Sequence, residues 1–143
     1  MPSIRVLVVE DYAPFLEFIC STLRKESSLQ IVGKVSDGLE AVSQAEELRP
    51  DLILLDMGLP TLNGFAAARQ IRKVAPESKI VFLTQESSAD AALEALNLGA
   101  RGYVVKMRAA DLLAAVDAVL EGRQFVSEWI VESGFHGHKP GPC

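Results

Sequence analysis

Cysteine is scarce in this chain: Cys20 and Cys143 are the only two in 143 residues. Two thiols cannot build the disulfide framework of a small secreted domain, and they read as reduced cytosolic cysteines. Long hydrophobic runs are missing too. No apolar stretch approaches the roughly 18 residues of a membrane span. Met1 to Val9 carries one Arg and runs straight into Glu10-Asp11, with no small-residue cleavage site, so no export signal is read there. Basic charge is thin: 14 Lys+Arg stand against 19 Asp+Glu, for a formal net charge of −5. That balance argues against a chain that grips nucleic acid by its phosphates. What remains is an ordinary globular composition, 49% apolar and 23% charged, long enough for one cytoplasmic domain with a sizeable core.

The apolar residues fall in short runs at regular intervals. Ile4-Arg5-Val6-Leu7-Val8-Val9 is β-branched and nearly continuous, as a strand buried on both faces should be. Similar runs recur at Gln30–Val35, Leu52–Leu55, Ile80–Leu83 and Gly102–Val105. Longer segments with helical spacing lie between them. Phe15, Phe18, Ile19 and Leu23 share a helix face, as do Ala67, Ile71 and Val74, and again Leu112, Val116, Val119 and Leu120. Leu39–Leu48 and Ala89–Leu98 are rich in helix formers. Pro14 suits a first helical turn, Arg49-Pro50 and Ala75-Pro76 end helices, and Gly99 and Gly122 close two more. Five β-α units in succession predict an α/β domain with a doubly wound, five-stranded parallel sheet in the order 2-1-3-4-5. The domain is expected over residues 1–122, followed by an extension over 123–143. In that extension Gln124–Val126 reads as a short extended piece and Ser127 as the cap of a helical turn through Trp129 to Glu132. The Gly-, Pro- and His-rich end from Gly134 is expected to be disordered; His136, His138 and Cys143 are metal-ligand types with nothing to fix their geometry.

In such a sheet, ligands gather beyond the carboxyl ends of the strands, where the strand order reverses. The residues at those ends are therefore the candidates. They are Glu10-Asp11 after the first run, Asp56 after the third, Thr84 after the fourth and Lys106 after the fifth. Any one of them alone is ordinary, since an Asp after a strand usually shapes a turn or caps a helix. Together they place three carboxylates, a hydroxyl and an ammonium on one edge. Packed carboxylates raise one another's pKa, and a hard divalent cation such as Mg2+ relieves this while leaving positions open to phosphate oxygens. The set suits phosphoryl transfer, with Asp56 as the nucleophile that becomes an acyl phosphate.

With these residues in place the sequence resembles the receiver domain of bacterial two-component response regulators. The motifs are Val8-Val9-Glu10-Asp11, Leu54–Pro60 around Asp56, Asn63-Gly64, Leu83-Thr84 and Gly99–Lys106, and the resemblance covers residues 3–122. Gly99–Lys106, with Ala114–Gly122 and Gln124–Ser127, looks most like the members that carry a LuxR-type helix-turn-helix. The resemblance implies a flavodoxin- and CheY-like fold and a phosphoacceptor at Asp56. It implies Mg2+ held by Glu10, Asp11, Asp56 and the Gly58 carbonyl, with Lys106 on the phosphoryl group. Thr84 and Tyr103 are the implied hydroxyl-aromatic switch pair, acting on the surface of helix 4, strand 5 and helix 5. The implied partners are a sensor histidine kinase or phosphotransfer protein and a second copy of the chain. No membrane is expected as a partner, and the chain itself is not expected to bind DNA. The protein would be a signalling switch, catalysing only its own phosphorylation and dephosphorylation.

Some positions depart from the family pattern. Gln85 stands where members usually have Ala or Gly, which implies altered phosphotransfer or dephosphorylation. Met107 replaces a frequent Pro. Gly58 and Glu86 fall where members tune the lifetime of the phosphorylated state. Only 21 residues follow Gly122, and residues 128–143 hold one Lys and no Arg, which is short of an output domain. Rival readings fare worse. A haloacid-dehalogenase-type phosphatase needs an Asp where Gly58 stands, and neither G-x-G-x-x-G nor G-x-x-x-x-G-K-[ST] follows the first strand. The alternative kept is a pseudo-receiver, a phosphorylation-independent interaction or dimerisation module, for which Gln85 is the main reason.

Overall fold

The computed structural model describes residues 3–85, 88–106 and 110–127. The elements alternate along the chain: β1 (Ile4–Val9), α1 (Ala13–Leu23), β2 (Leu29–Val35), α2 (Gly38–Leu48), β3 (Leu52–Asp56), α3 (Gly64–Val74), β4 (Lys79–Thr84), α4 (Ala89–Asn97), β5 (Gly102–Val105), α5 (Asp111–Leu120) and β6 (Phe125–Val126). All pairings are parallel and the order is β2-β1-β3-β4-β5-β6.

The continuous apolar runs are explained by the two-sided burial of the sheet. Alternate residues of each strand feed opposite cores. Leu7, Val9, Ile53, Leu55, Ile80, Phe82, Tyr103 and Val105 face α2, α3 and α4. Val6, Val8, Leu52, Leu54, Val81, Leu83 and Val104 face α1 and α5. Each fully buried Leu or Val contributes on the order of 1.5–3 kcal/mol. The helices of the first face present small residues to the sheet, among them Ala41, Ala45, Ala68, Ala92 and Ala95, which lets them pack close.

The helix ends follow the expected punctuation. Asp37, Asn63 and Ser88 cap α2, α3 and α4 by accepting the amides of Glu40, Ala66 and Ala91. Gly99 and Gly122 take the left-handed conformation after α4 and α5, at φ 103° and 89°. Two expectations need correcting. The sheet has six strands, not five: Phe125–Val126 extends it beyond β5. A two-residue strand carries no periodicity, so its pairing was not readable. Phe18 is 42% exposed, not part of the buried stripe. At 100° per residue it lies on the flank of the arc defined by Phe15, Ile19 and Leu23. The expected helical turn after Ser127, the tail with His136, His138 and Cys143, and Glu86 and Met107 all lie outside the described residues.

Two glycines hold the loop between β3 and α3 against its neighbours. A Cβ on Gly38 would lie 1.8 Å from the Leu62 carbonyl oxygen. A Cβ on Gly64 would lie 2.6 Å from Met57 Cα and 2.8 Å from the Asp56 carbonyl oxygen. Neither backbone can yield cheaply. Gly64→Ala is therefore expected to destabilise the fold by about 1–3 kcal/mol, read as a lower urea midpoint with an unchanged slope.

Candidate functional site

The strand order reverses at β1, and the carboxyl ends of β1 and β3 lie side by side there. Val9 pairs with Leu55, so Glu10 and Asp11 emerge next to Asp56, the last residue of β3. Asp56 pairs with Leu83 and Thr84 with Val105, which carries the row on to Thr84 and Lys106. One carboxylate oxygen from each of Glu10, Asp11 and Asp56 lies within 4.8 Å of the other two. They open, with Thr84, Gln85 and Lys106, onto a cleft of about 560 Å3. The strand ends thus bring together every side chain of the expected acidic site.

Within the cluster, burial and charge are unevenly shared. Glu10 is 1% exposed and Asp56 4%, while Asp11 is exposed. Glu10 Oε2 accepts the Tyr12 amide at 3.1 Å and the Lys106 ammonium at 3.1 Å. Glu10 Oε1 lies 2.9 Å from the same ammonium but receives no aligned hydrogen bond. Lys106 Nζ is also 3.3 Å from Asp56 Oδ1. Asp56 Oδ1 further accepts the Gly58 amide at 3.1 Å. Burial pushes the Glu10 carboxyl up; its hydrogen bonds to Lys106 and Tyr12 oppose this and the Asp56 charge adds to it. The Asp11 carboxyl is pushed up chiefly by the hydrogen bond it shares with Asp56, then by burial and by the Asp56 charge. Glu10 and Asp11 therefore resist ionisation in this cluster.

The chemistry of the donor set fits a hard divalent cation. Three carboxylates converge, Glu10 Oε1 is buried without a hydrogen bond, and Gly58 lines the same cleft. Lys106 sits where it partly offsets their charge. Thr84 is buried at the end of β4. Tyr103 is fully buried in the core beneath α4. The register sets Phe82 opposite Tyr103 and Thr84 opposite Val105. Thr84 and Tyr103 are therefore diagonal neighbours on one face of adjacent strands.

Several contacts at the site carry no signal in a linear sequence. The Phe15 ring lies under the Lys106 ammonium, 5.0 Å from Nζ to centroid. Its place on the apolar face of α1 accounts for a Phe there with no other role. Thr61 has φ 65°, an uncommon conformation for a β-branched residue, in the loop that follows Asp56. Ser127, expected as a helix cap, is fully buried, and its hydroxyl accepts the Val105 amide at 3.0 Å. A Ser after two apolar residues reads equally as a cap or as the end of a strand.

Comparison with known proteins agrees with this geometry. The model of the response regulator receiver domain matches residues 6–117. Response regulator GacA of Pseudomonas viridiflava is 32% identical over 130 residues, covering 90% of this chain and 61% of that protein. Response regulator protein VraR of Staphylococcus aureus is 36% identical over 117 residues, covering 82% of this chain and 55% of that protein. The chain thus spans little more than half the length of these curated relatives. A LuxR-family two-component response regulator from Aurantimonas sp. SI85-9A1 superposes with a TM-score of 0.86 at 30% identity, over 91% of this chain and 94% of that one. The response regulator domain of Thermotoga maritima CheB gives a TM-score of 0.72 at 33% identity, over 84% and 92% of the two chains. Both the sheet that delivers the acidic cluster and the sequence that builds it place this chain in the response regulator receiver-domain family.

Proposed function

We propose that this chain is a phosphoacceptor switch of a two-component system, in which Asp56 takes a phosphoryl group from a sensor histidine kinase or phosphotransfer protein. The observation that carries the reading is the placement of Asp56: buried at a strand end, 3.3 Å from the Lys106 ammonium and ringed by Glu10 and Asp11. Glu10, Asp11 and Asp56, with the Gly58 carbonyl, are the residues that would hold Mg2+; the ion would neutralise charge on the phosphoryl oxygens. An Asp56 carboxylate oxygen attacks phosphorus in line. The P–N bond of the phosphohistidine breaks and its electron pair stays on the imidazole nitrogen, which takes up a proton. Lys106 donates to a phosphoryl oxygen, and so does the Thr84 hydroxyl. Hydrolysis of the acyl phosphate by water resets the switch.

The new charge, about −1.5 to −2, draws Thr84 toward the site. Thr84 and Tyr103 share one face, so this movement and the Tyr103 side chain are coupled through packing. The surface of α4, β5 and α5 is the proposed readout, as a shift between two populated states. A homodimer through that surface, or through α1 and α5, is the proposed assembly. Likeness to a LuxR-family regulator favours transcription as the controlled output. Gln85, exposed at the rim of the cleft, is proposed to slow entry of the phosphodonor.

With Mg2+ and acetyl phosphate, intact-mass spectrometry should show one added phosphoryl group. Asp56→Asn should abolish it, and Lys106→Ala should cut both the yield and the Mg2+-dependent response of Tyr103 NMR signals to beryllium fluoride. Absence of any adduct on the wild-type chain would refute the phosphoacceptor reading.

The electrostatics carry a stability prediction. The Glu10 and Asp11 carboxyls are raised in the fold, so their contribution favours folding below the ordinary carboxylate range. It is lost as pH rises through the raised values. At neutral pH and without metal, Asp11→Asn should therefore unfold at a higher temperature than the wild type. Mg2+ at about a hundred times its Kd should stabilise the wild type by about 2.7 kcal/mol. The Asn variant should gain much less, and thermal melts with and without Mg2+ read both effects.

A further inference from the structure

Lys106 has three anionic contacts, Glu10 Oε1 at 2.9 Å, Glu10 Oε2 at 3.1 Å and Asp56 Oδ1 at 3.3 Å. All of them belong to carboxylates with other work to do. In the phosphoacceptor reading, Glu10 would help to hold a metal ion and Asp56 gives an electron pair to phosphorus. The ammonium must then exchange these carboxylate contacts for a phosphoryl oxygen without leaving the pocket. A lysine stem has four carbons and many rotamers, so an unheld ammonium is free to swing into water.

One contact of Lys106 is of a different kind. Its Nζ lies 5.0 Å from the centroid of the Phe15 ring, within cation–π range. That ring is well held. Pro14 sits in the first turn of α1, Phe15 packs on the α1/α5 core, and it stacks on Phe18 with centroids 5.7 Å apart. Phe15 and Lys106, with Tyr12 and Gln85, also line a recess of about 400 Å3 that shares residues with the Asp56 cleft. The Lys106 side chain is only 12% exposed. A π face attracts a cation without competing for a metal or a phosphorus atom.

We propose that Phe15 is a positioning residue for phosphoryl transfer, its ring holding the Lys106 ammonium at the Asp56 pocket when Glu10 and Asp56 are otherwise engaged. The proposal rests on the phosphoacceptor reading above and extends it to a residue outside the lining of the Asp56 cleft.

The test separates the ring's electrostatics from its bulk. Mono-, di- and pentafluorophenylalanine are placed at position 15 of the full chain, which drains the ring face of negative potential with little change of shape. Phe15→Leu and Phe15→Trp complete the series. The rate of Asp56 phosphorylation by acetyl phosphate with Mg2+ should fall stepwise with fluorination, by about three- to ten-fold in total. Phe15→Trp should keep the wild-type rate, and thermal unfolding midpoints of the fluorinated set should stay together. The ring current should also shift the Lys106 ε-methylene NMR signals upfield, an effect lost in Phe15→Leu. Rates that ignore fluorination, or ε-methylene shifts unchanged in Phe15→Leu, overturn the positioning role while leaving the phosphoacceptor reading intact. No phosphoryl uptake by the unsubstituted chain overturns both.

Discussion

The site depends on one opposition: three carboxylates gathered at the end of a sheet, and one ammonium reaching across to meet them. At about 4 Å two unit charges interact by about 4 kcal/mol where the effective dielectric constant is near 20. Full ionisation of Glu10, Asp11 and Asp56 together would set like charges within 4.8 Å of one another, a costly state for a domain whose whole stability margin is about 5–15 kcal/mol. Lys106 offsets part of that cost through its contacts with Glu10 and Asp56. Burial raises the Glu10 carboxyl and the hydrogen bond shared with Asp56 raises that of Asp11, and the Asp56 charge adds to both. Such a cluster persists only on a scaffold with stability to spare, which the two fully buried core layers supply.

The same scaffold fixes where the charges stand. Asp56 ends a strand whose five residues are all buried, so its Cα has little freedom. The loop after it is clamped from two sides: the Gly38 amide donates to the Pro60 carbonyl and the Gly64 amide to the Met57 carbonyl. Asn63 starts α3 at once, and Thr61 absorbs the tight path in a left-handed conformation. The Gly58 amide meets Asp56 Oδ1 from within this loop. A backbone amide, which cannot change rotamer, thus helps to orient the Asp56 carboxylate.

Much of this was legible in the sequence, for a physical reason. Parallel strands buried on both faces must read as short continuous apolar runs, and the punctuation of Pro, Gly and capping residues separates them cleanly. Once the order of strands follows from topology, the residue at each strand end is a candidate by position alone. Glu10, Asp11, Asp56, Thr84 and Lys106 are candidates on this ground, and the fold brings them to one cleft. What escaped are features decided by tertiary approach. β6 is too short to have a period, Phe18 sits at the edge of a helical arc, and Ser127 carries equal weight as a cap or as a buried acceptor. That Lys106 pairs with Glu10 as well as Asp56, over a Phe15 ring, depends on side-chain paths that no spacing encodes.

β6 bears on how a change at the site reaches the rest of the chain. The Phe125 amide donates to the Arg101 carbonyl, the Ser127 amide to the Tyr103 carbonyl, and the Val105 amide to the Ser127 hydroxyl. The segment after α5 is thereby fastened to the strand that carries Tyr103 and leads into Lys106. A displacement of β5 must either carry this segment along or break these bonds, at a net cost of about 0.5–1.5 kcal/mol for each. Leaving the Val105 amide unpaired in the interior would cost more, about 1–3 kcal/mol. Moving together is the cheaper course, so residues 125–127 are mechanically part of the strand that leads into Lys106.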